Sequence, residues 1–462
     1  MFDNKHIVYF LGIGGIGMSA LARWFYANGK KVYGYDRTET RLTQQLSAEG
    51  MHVNYTDNAE IIPKDIRENA VSSLIVNTPA VPKDCKQLNF FIDHGFEIRK
   101  RSEVLGMITR DHFNIAVAGT HGKTTTSSMI AHILNTTGHK MTAFLGGIMQ
   151  NYETNLIMDI QGKGDLMVVV EADEYDRSFH QLSPDIAVIT AADPDHLDIY
   201  GTEAEMRKAY SQFIGKIRHN GMLIIKKGLT DLVPDNRADL QVMEYNLIQS
   251  NIRAGNIRMD REEMRFDFIS PDIEISNIPL SQPGHHNIEN AIAAVAASLA
   301  FGANEQHIKE AFSTYRGVKR RFEYIIHSPE LVFIDDYAHH PSEISAFLGS
   351  LKAIYSGRHI TVIFQPHLFS RTRDMAEEFA ESLSVADDIL LLEIYPAREL
   401  PIAGVTSGLI FDKLKTVSKS LVKMDDVTGI IKDKKIEVLA TLGAGDIDKI
   451  VSPIREILLK KS

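Results

Sequence analysis

Short apolar runs recur along the chain, and most of them end in glycine or in charged residues. Runs of this kind, separated by segments with apolar residues at helical spacing, are typical of buried parallel strands that alternate with helices. The predicted strands are 6–12, 31–35, 73–76, a run around Ile98, 113–118, 165–170, 185–190, 331–334, 360–364, 389–392 and 437–440. The pattern therefore predicts an α/β protein whose sheets are largely parallel.

The rhythm changes between residues 222 and 270, where short alternating runs such as 257–268 predict antiparallel strands added to the central part of the chain. A turn at residues 284–287 then leads into a predicted helix over 288–300. Asn287 or Asn290 could bond a ligand at the start of that helix, or could simply cap it.

The length of the chain, 462 residues, is too great for one hydrophobic core. The first boundary is placed just before the strand at 113–118, and the second at the basic cluster 317–323. We therefore predict three domains, covering 1–108, 109–322 and 323–462. The first has the size of one small doubly wound domain, and the third repeats its strand–helix rhythm.

Composition narrows the class of protein. The net charge of −10, with no basic block to offset it, argues against broad binding to nucleic acid or to anionic membranes. A single cysteine, Cys85, excludes internal disulfides and cysteine-based zinc sites. The first residues lack the apolar core of a signal peptide, and the weakly polar run 291–302 is too short to span a bilayer. These features predict a soluble cytoplasmic protein.

One glycine-rich loop follows the predicted strand 113–118 and precedes a helix, with the sequence Gly119-Thr120-His121-Gly122-Lys123-Thr124-Thr125. Such a loop aims backbone N–H groups and a helix N-terminus at an anion, and Lys123 adds a positive charge. It is shorter than the common phosphate loop, which has four residues between its first glycine and Gly-Lys. A phosphate site is therefore predicted, with an ordinary glycine turn as the alternative.

A second glycine-rich loop comes earlier, where the strand 6–12 runs into Gly12, Gly14, Gly15 and Gly17. Asp36 follows the next strand, as in a dinucleotide-binding fingerprint. The glycines permit close approach of a diphosphate, which either NAD or a UDP sugar would provide.

Acidic residues follow two strands, in the clusters 171–176 and 193–198. Because ligands bind beyond the carboxyl ends of parallel strands, these clusters predict a Mg²⁺ site beside the phosphate loop. The alternatives are solvated loop acids and a structural histidine at His196. In the same way, the basic cluster 317–323 either contains an arginine that neutralises a transferring γ-phosphate or is a solvated patch.

Taken together, the order and spacing of these motifs resemble those of the Mur ligases of peptidoglycan synthesis. The resemblance is greatest to the members that join L-alanine to UDP-N-acetylmuramate. The stretches that carry it are 12–19, 119–126, 171–176, 195–196, 286–290, 320–322, 335–341, 364–374 and 443–447. The short phosphate loop is itself the form found in this family.

The resemblance implies a UDP-binding Rossmann-like N-terminal domain, a central P-loop-type ATPase α/β domain with antiparallel additions, and a Rossmann-like C-terminal α/β domain. It also implies the reaction. With ATP as co-substrate and Mg²⁺, L-alanine is joined to the lactyl carboxylate of UDP-N-acetylmuramate through an acyl phosphate, giving ADP and phosphate. The expected partners are these small molecules, with no nucleic acid and no membrane, and the expected state is a monomer or a weak homodimer.

The same resemblance implies roles for individual residues. It assigns ATP binding to Gly119, Thr120, His121, Gly122, Lys123, Thr124, Thr125, Asn287, Asn290, Arg321, Asp336 and Tyr337. It assigns catalysis to Lys123, Arg321, His339, Arg371 and Arg373, with His367 nearby. It assigns the UDP sugar to Gly12, Gly14, Gly15, Gly17, Ser19, Asp36 and Thr78. It assigns the metal to Thr124, Glu171 and His196, with Glu174 in support.

The chain departs from the family pattern at a few positions. Ala191 stands where many members have asparagine, and Leu368 stands where arginine is usual. The segment 76–80 lacks the serine-rich form seen on the uridine side, which leaves individual uracil contacts open. The stretch 210–212 offers no lysine, so we predict no carbamylated lysine.

Three alternative functions remain to be weighed. A recycling ligase that attaches a tripeptide to the same sugar nucleotide shares the phosphate loop, but its first glycine loop differs from residues 12–19. An NAD-dependent dehydrogenase would leave Lys123, Glu171 and Arg321 without a purpose. A non-catalytic binding protein would not need the phosphate-loop lysine and the metal ligands together.

Overall fold

The structure is a computed structural model that describes residues 2–461 apart from 195, 196, 261, 262 and 398; the side chains of 197 and 198 are also outside the description. The chain forms two compact units. The first comprises Met1–Ile257, Phe266–Pro279 and Glu289–Tyr315, and the second comprises Arg258–Arg265, Leu280–Ile288 and Arg316–Ser462.

The N-terminal part of the first unit is a parallel sheet with helices. Its strands are β1 (Ile7–Leu11), β2 (Lys31–Tyr35), β3 (His52–Asn54), β4 (Ser73–Asn77) and β5 (Glu97–Lys100). Its helices are α1 (Ile16–Ala27), α2 (Arg41–Ala48), α3 (Lys64–Arg67), α4 (Lys86–Asp93) and α5 (Arg101–Arg110). The strand order β3-β2-β1-β4-β5 reverses beside β1, so the first glycine loop lies at the switch point where doubly wound sheets bind ligands.

The central part of the chain forms a second sheet. Its elements are β6 (Phe113–Ala118), α6 (Lys123–Asn135), β7 (His139–Met149), β8 (Thr154–Asp159), β9 (Lys163–Glu171), β10 (Ile186–Ile189), α7 (Leu197–Tyr200), α8 (Glu203–Ile214), β11 (Met222–Lys226) and β12 (Gln241–Tyr245). The strand order is β12-β11-β10-β6-β9-β7-β8, and β8 pairs antiparallel to β7. The strand before the phosphate loop therefore lies between the two strands that precede the acidic clusters.

The prediction of antiparallel strands after residue 222 is wrong for β11 and β12. Both strands extend the central sheet in parallel, β11 beside β10 and β12 beside β11. The middle of β11 is fully buried, as expected for a strand with neighbours on both sides, and α8 provides the crossover that a parallel pairing needs. A separate sheet holds β13 (Arg253–Asp260), β14 (Glu263–Ile269) and β15 (Glu274–Leu280), and α9 (His285–Phe301) and α10 (Glu305–Thr314) follow.

The N-terminal and central sheets share one hydrophobic cluster, which runs from Val8 and Phe25 to Val168 and Phe213. Helix α1 packs against β7 and β8. Arg23 of α1 donates a hydrogen bond to the side chain of Asn155 on β8, at 2.5 Å. The two glycine loops therefore belong to one continuous, tightly packed unit.

The second unit contains the C-terminal sheet. Its elements are β16 (Glu323–His327), β17 (Val332–Asp336), α11 (Pro341–Ile354), β18 (Ile360–Phe364), α12 (Phe369–Asp374), α13 (Ala376–Leu383), β19 (Asp388–Leu391), α14 (Gly408–Phe411), β20 (Ser418–Leu421), α15 (Val427–Asp433), β21 (Val438–Leu442) and α16 (Asp448–Leu459). The order is β16-β17-β21-β18-β19-β20, parallel except for β16. The carboxyl ends of β17, β18 and β21 meet, which brings together the polar segments that follow them.

Over the described part of the chain, no helix has both the length and the apolarity required to cross a membrane.

Candidate active site

The phosphate loop has a backbone that only glycine suits at two positions. Gly119 has φ +142°, and a β-carbon there would lie 2.1 Å from the hydroxyl of Thr190. Gly122 has φ +80°, and a β-carbon there would lie 2.4 Å from the side-chain oxygen of Asn290. Helix α6 starts at Lys123, and among the described residues no side chain caps its first turn. Its N–H groups are therefore available to an anion.

Lys123 is folded back into this loop. Its ammonium lies 2.5 Å from the carbonyl oxygen of Gly119 and 2.7 Å from a carboxylate oxygen of Glu174. Burial lowers the pKa of Lys123, but attraction from Glu174 and Glu171 outweighs it, so the pKa is raised overall. Burial also raises the pKa of Glu174 to about 7, against the opposing effect of Lys123. The lysine therefore keeps its charge and is held against the loop, at the uncapped start of α6.

Glu171 ends strand β9 beside the phosphate strand, opposite Val117 in register. The backbone N–H of Gly146 donates a hydrogen bond of 3.0 Å to one of its carboxylate oxygens. Thr124 lies buried in the first turn of α6. The structure thus confirms that β9 and the phosphate loop end at the same edge of the sheet.

The metal site is only partly described. Asp195 and His196 lie outside the described residues, and within those residues no cluster of three or more histidine, cysteine or acidic side chains could hold a metal by itself. Mg²⁺ commonly takes one or two protein carboxylates and completes its coordination with phosphates and water. The donor types of Glu171 and Thr124 fit such an ion.

The end of strand β10 supports the loop from the other side. The Thr190 hydroxyl donates to the carbonyl oxygen of His121, at 2.5 Å. The Thr120 N–H donates to the carbonyl oxygen of Ala191 at 3.2 Å, and the Thr120 hydroxyl accepts from the N–H of Asp193 at 3.2 Å. The backbone of Ala191 holds the loop, so this contact does not need the asparagine side chain found in many family members. Sequence reasoning missed Thr190, which shows no motif of its own.

The structure brings together several residues predicted for the UDP sugar. The N–H of Gly14 donates to Asp36 at 2.8 Å. A β-carbon on Gly14 would lie 2.7 Å from Thr43, and one on Gly12, where φ is +83°, would lie 2.9 Å from Thr78. The loop is therefore packed against Asp36 and Thr78, and Gly15 lies at the start of α1.

Ser19 and Gly17 have neighbours that the sequence did not indicate. Ser19 is fully buried; its hydroxyl donates to the carbonyl oxygen of Ile16 at 2.9 Å and accepts from Asn155 at 3.0 Å. Gly17 lies directly against the guanidinium of Arg101. The contact partners Asn155 and Arg101 come from distant parts of the chain, which is why motif spacing could not reveal them.

In the second unit, Asp336 organises the backbone at the end of β17. Its carboxylate accepts hydrogen bonds from the N–H groups of Phe322 and Ala338, both at 2.7 Å. Burial raises its pKa to about 6, and the positive charge of Arg321 opposes this. The guanidinium carbons of Arg320 and Arg321 lie 5.2 and 5.3 Å from the centre of the Tyr337 ring. This packing fixes the position of Arg321.

His339, His367 and Arg371 also come together in this unit. The rings of His339 and His367 are 5.7 Å apart, and a guanidinium nitrogen of Arg371 lies 3.5 Å from the carbonyl oxygen of His339. The predicted companion Arg373 instead forms an exposed ion pair with its neighbour Asp374, at 2.6 Å. These contacts link His339, His367 and Arg371, and the role of Arg373 stays a prediction.

The two asparagines near the start of α9 behave differently. The Asn287 amide donates to the carbonyl oxygen of Pro283 at 2.8 Å, which stabilises the turn before the helix. Asn290 packs against Gly122, as described above.

Three family models match in sequence: "Mur ligase family, catalytic domain" over residues 7–113, "Mur ligase middle domain" over 117–298, and "Mur ligase, glutamate ligase domain" over 320–447. A UDP-N-acetylmuramate–L-alanine ligase of Christiangramia forsetii is 47% identical, with 100% of both chains covered. The chain belongs to the Mur ligase family.

Relatives of this Mur ligase include another UDP-N-acetylmuramate–L-alanine ligase, from Phocaeicola vulgatus, which is 48% identical over 98% of both chains. Among solved structures, UDP-N-acetylmuramate–alanine ligase of Thermotoga maritima aligns with a TM-score of 0.83 and 29% identity, covering 98% of this chain and 99% of that one. A murein peptide ligase of Psychrobacter arcticus aligns with a TM-score of 0.70, but at 23% identity it shows the fold alone. The predicted three-domain α/β architecture is confirmed.

Proposed function

We propose that this Mur ligase joins L-alanine to the lactyl carboxylate of UDP-N-acetylmuramate at the expense of ATP, an early step of peptidoglycan synthesis. The observation that carries the proposal is the phosphate loop, whose largely buried lysine pairs with Glu174. Glu174 lies just beyond the end of strand β9, and Glu171 is the last residue of that strand. The second support is the full-length likeness, at 47% and 48% identity, to ligases named for this reaction.

The phosphate loop suits the ATP phosphates. In the structure the Lys123 ammonium is bound to Glu174 and to the Gly119 carbonyl oxygen, and the N–H groups at the start of α6 have no side-chain cap among the described residues. We infer that Lys123 turns to the β- and γ-phosphates when ATP binds. In the absence of ATP, Glu174 keeps the lysine charged and close to the loop.

Residues Thr124, Glu171 and His196 would hold Mg²⁺. When bound, Mg²⁺ would supply positive charge that screens the γ-phosphate from the substrate carboxylate. Glu171 is oriented for this by the N–H of Gly146.

The glycine loop at 12–17 suits the diphosphate of the UDP sugar. It lies at the switch point of the N-terminal sheet and opens helix α1, whose first turn has no side-chain cap among the described residues. The N–H of Gly14 is already bonded to Asp36 and that of Gly15 to the carbonyl oxygen of Gly12, at 3.2 Å. We therefore assign the diphosphate to the N–H groups that follow in the first turn of α1, at Gly17, and treat Asp36 as a residue that orders the loop.

The chemistry follows from bringing these anions together. An oxygen of the lactyl carboxylate attacks the γ-phosphorus, and the bond to ADP breaks, leaving an acyl phosphate. The neutral amine of L-alanine then attacks the acyl carbon, and phosphate leaves as the amine loses a proton. We propose that Arg321 stabilises the transferring phosphoryl group. We also propose that His339, His367, Arg371 and Arg373 lie near the acyl phosphate and the incoming amino acid.

Three further predictions stand as proposals. The domain limits 1–108, 109–322 and 323–462 await limited proteolysis, and the monomer or weak homodimer awaits measurement of mass in solution. The cytoplasmic location awaits cell fractionation.

The reaction is tested by measuring phosphate release from ATP with UDP-N-acetylmuramate and a panel of amino acids and peptides, together with the mass of the product. L-Alanine should give the fastest release and a UDP-N-acetylmuramoyl-alanine product. Faster release with a tripeptide would favour the recycling ligase, and nicotinamide binding without phosphate release would favour a dehydrogenase.

A further inference from the structure

A cavity of about 150 Å³ lies between the first glycine loop and the acidic end of strand β9. Its walls come from the start of α1, the start of α5 and the middle of β7. Residues that line it include Gly17, Arg101, Phe144, Gly146, Glu171 and Asp173. It therefore joins the loop that we assign to the diphosphate with the carboxylate that we assign to the metal.

Arg101 is the single cation among the described residues that line this cavity. Its side chain is 19% exposed and forms an ion pair with Asp173, with a nitrogen–oxygen distance of 2.9 Å. The guanidinium also lies against Gly17, because a β-carbon on that glycine would be 2.6 Å from its terminal nitrogen. The absence of a side chain at Gly17 thus makes room for the arginine.

The position of this arginine is electrostatically unusual. Gly17 belongs to the first turn of α1, and the N-terminus of a helix carries partial positive charge. A guanidinium at this position is unfavourable unless an anion lies beside both the guanidinium and the helix N-terminus. In this structure Asp173 is that anion.

The proposed substrate would bring its own anions to the same place. UDP-N-acetylmuramate carries a diphosphate and, one sugar ring away, a carboxylate. If the diphosphate lies on the glycine loop and the carboxylate approaches Glu171, the sugar must lie along this cavity. Glu171 and Asp173 would repel the anionic groups of the substrate, and Arg101 would attract them.

We propose that Arg101 binds an anionic group of UDP-N-acetylmuramate, the carboxylate or the diphosphate, by exchanging Asp173 for it. The exchange keeps the guanidinium paired in both states and leads the substrate from the glycine loop toward Glu171. This inference rests on the proposed function, since it names a further residue of the same substrate site.

The test compares Arg101→Met with the wild type and with Arg99→Met. Arg99 lies two residues earlier and has a more exposed side chain that pairs with Glu97 at 3.0 Å, which makes it a matched control. Binding of UDP, UDP-N-acetylglucosamine and UDP-N-acetylmuramate is measured by calorimetry, and KM is measured for ATP and for the sugar nucleotide. Arg101→Met should weaken UDP-N-acetylmuramate by about tenfold to a hundredfold, as expected for loss of a charge-assisted contact, and should leave KM for ATP within about twofold. Arg99→Met should change neither.

The three ligands separate the two anions. If only the binding of UDP-N-acetylmuramate is weakened, Arg101 contacts the carboxylate. If the binding of all three ligands is weakened, Arg101 contacts the diphosphate. Asp173→Asn removes the competing anion and should leave the affinity unchanged or higher.

The proposal would be overturned if Arg101→Met bound each of the three ligands with the same affinity as the wild type does. So would a parallel loss in Arg101→Met and Asp173→Asn together with a lower melting temperature, because that is the result expected of a purely structural ion pair. If the wild type itself fails to bind UDP-N-acetylmuramate, the proposed function fails instead.

Discussion

The two glycine loops of the first unit use the same backbone device in different surroundings. Each follows a buried strand and opens a helix without a side-chain cap among the described residues. In the first loop, Asp36 accepts the N–H of Gly14 and Arg101 lies against Gly17. In the second, Lys123 is buried against Glu174 while Glu171 ends the neighbouring strand. The difference supports the proposal that the first loop binds its ligand, whereas the second also takes part in the reaction.

The largest difference is expected on removing the lysine of the second loop. Lys123→Ala should lower phosphate release by about 10³-fold, because it removes the positive charge that we propose contacts the transferring group. Calorimetry should still detect UDP-N-acetylmuramate binding with near-wild-type affinity. The exposed Lys208, replaced by alanine, is the control and should behave as wild type. Loss of sugar-nucleotide binding in Lys123→Ala would mean that the two loops do not serve separate ligands.

Acid should destabilise the protein through His132, which lies on the helix that follows the second loop. His132 lies buried on α6, with its ring nitrogens 2.8 Å from the Tyr152 hydroxyl and 3.0 Å from the Thr314 hydroxyl. Burial lowers its pKa from 6.5 to about 4. The unfolded chain therefore binds a proton more readily, and stability is lost as the pH falls from about 6.5 to about 4, by about 3 kcal/mol.

The check is chemical denaturation of wild type and His132→Gln at several pH values. The difference between their free energies of unfolding should change across that window and stay constant above pH 7. A difference that is independent of pH would show that the histidine has an ordinary pKa.

The metal requirement should distinguish the second loop from the first. His196→Ala should raise the Mg²⁺ concentration for half-maximal phosphate release by roughly tenfold to a hundredfold. Binding of the UDP sugar, which depends on the first loop, should not change. An unchanged Mg²⁺ titration would return His196 to a structural role.

The smallest effect is expected from one methyl group on the first loop. A β-carbon on Gly15 would make only ordinary contacts, the nearest at 3.5 Å, so Gly15→Ala should cost under about 1 kcal/mol of stability. It should weaken the binding of UDP-N-acetylmuramate by about tenfold, because the added methyl group would obstruct the diphosphate.

Gly119→Ala is the counterpart on the second loop. Its β-carbon would lie 2.1 Å from the Thr190 hydroxyl, so thermal melting should show a clear loss of stability there. For Gly15→Ala, by contrast, an unchanged affinity for the sugar nucleotide would show that the diphosphate does not bind at the first loop.

The local parts of this site follow from sequence. The limits of β2, β6 and β18 agree with the runs read from the apolar pattern, since a buried parallel strand is an apolar run bounded by turn residues. The two loops follow from glycine spacing. Parallel pairing of β11 and β12 did not follow, because periodicity describes a strand and not its neighbour.

Contacts between residues that are distant in the chain could not be predicted from the sequence either. Arg101 and Asp173 are 72 positions apart, and Asn155 meets Ser19 across 136 positions. Such pairs depend on how α1 packs on the central sheet, which no local pattern records. For a similar reason the sequence could not show that Arg373 pairs with Asp374.

The central claim is that the two loops hold two nucleotides at once, and calorimetry tests it directly. ADP with Mg²⁺ is titrated into protein already saturated with UDP-N-acetylmuramate, and the order is then reversed. The structure predicts one molecule of each nucleotide per chain, bound together with neither displacing the other. Mutual displacement would show that the loops share one nucleotide site and would contradict the account.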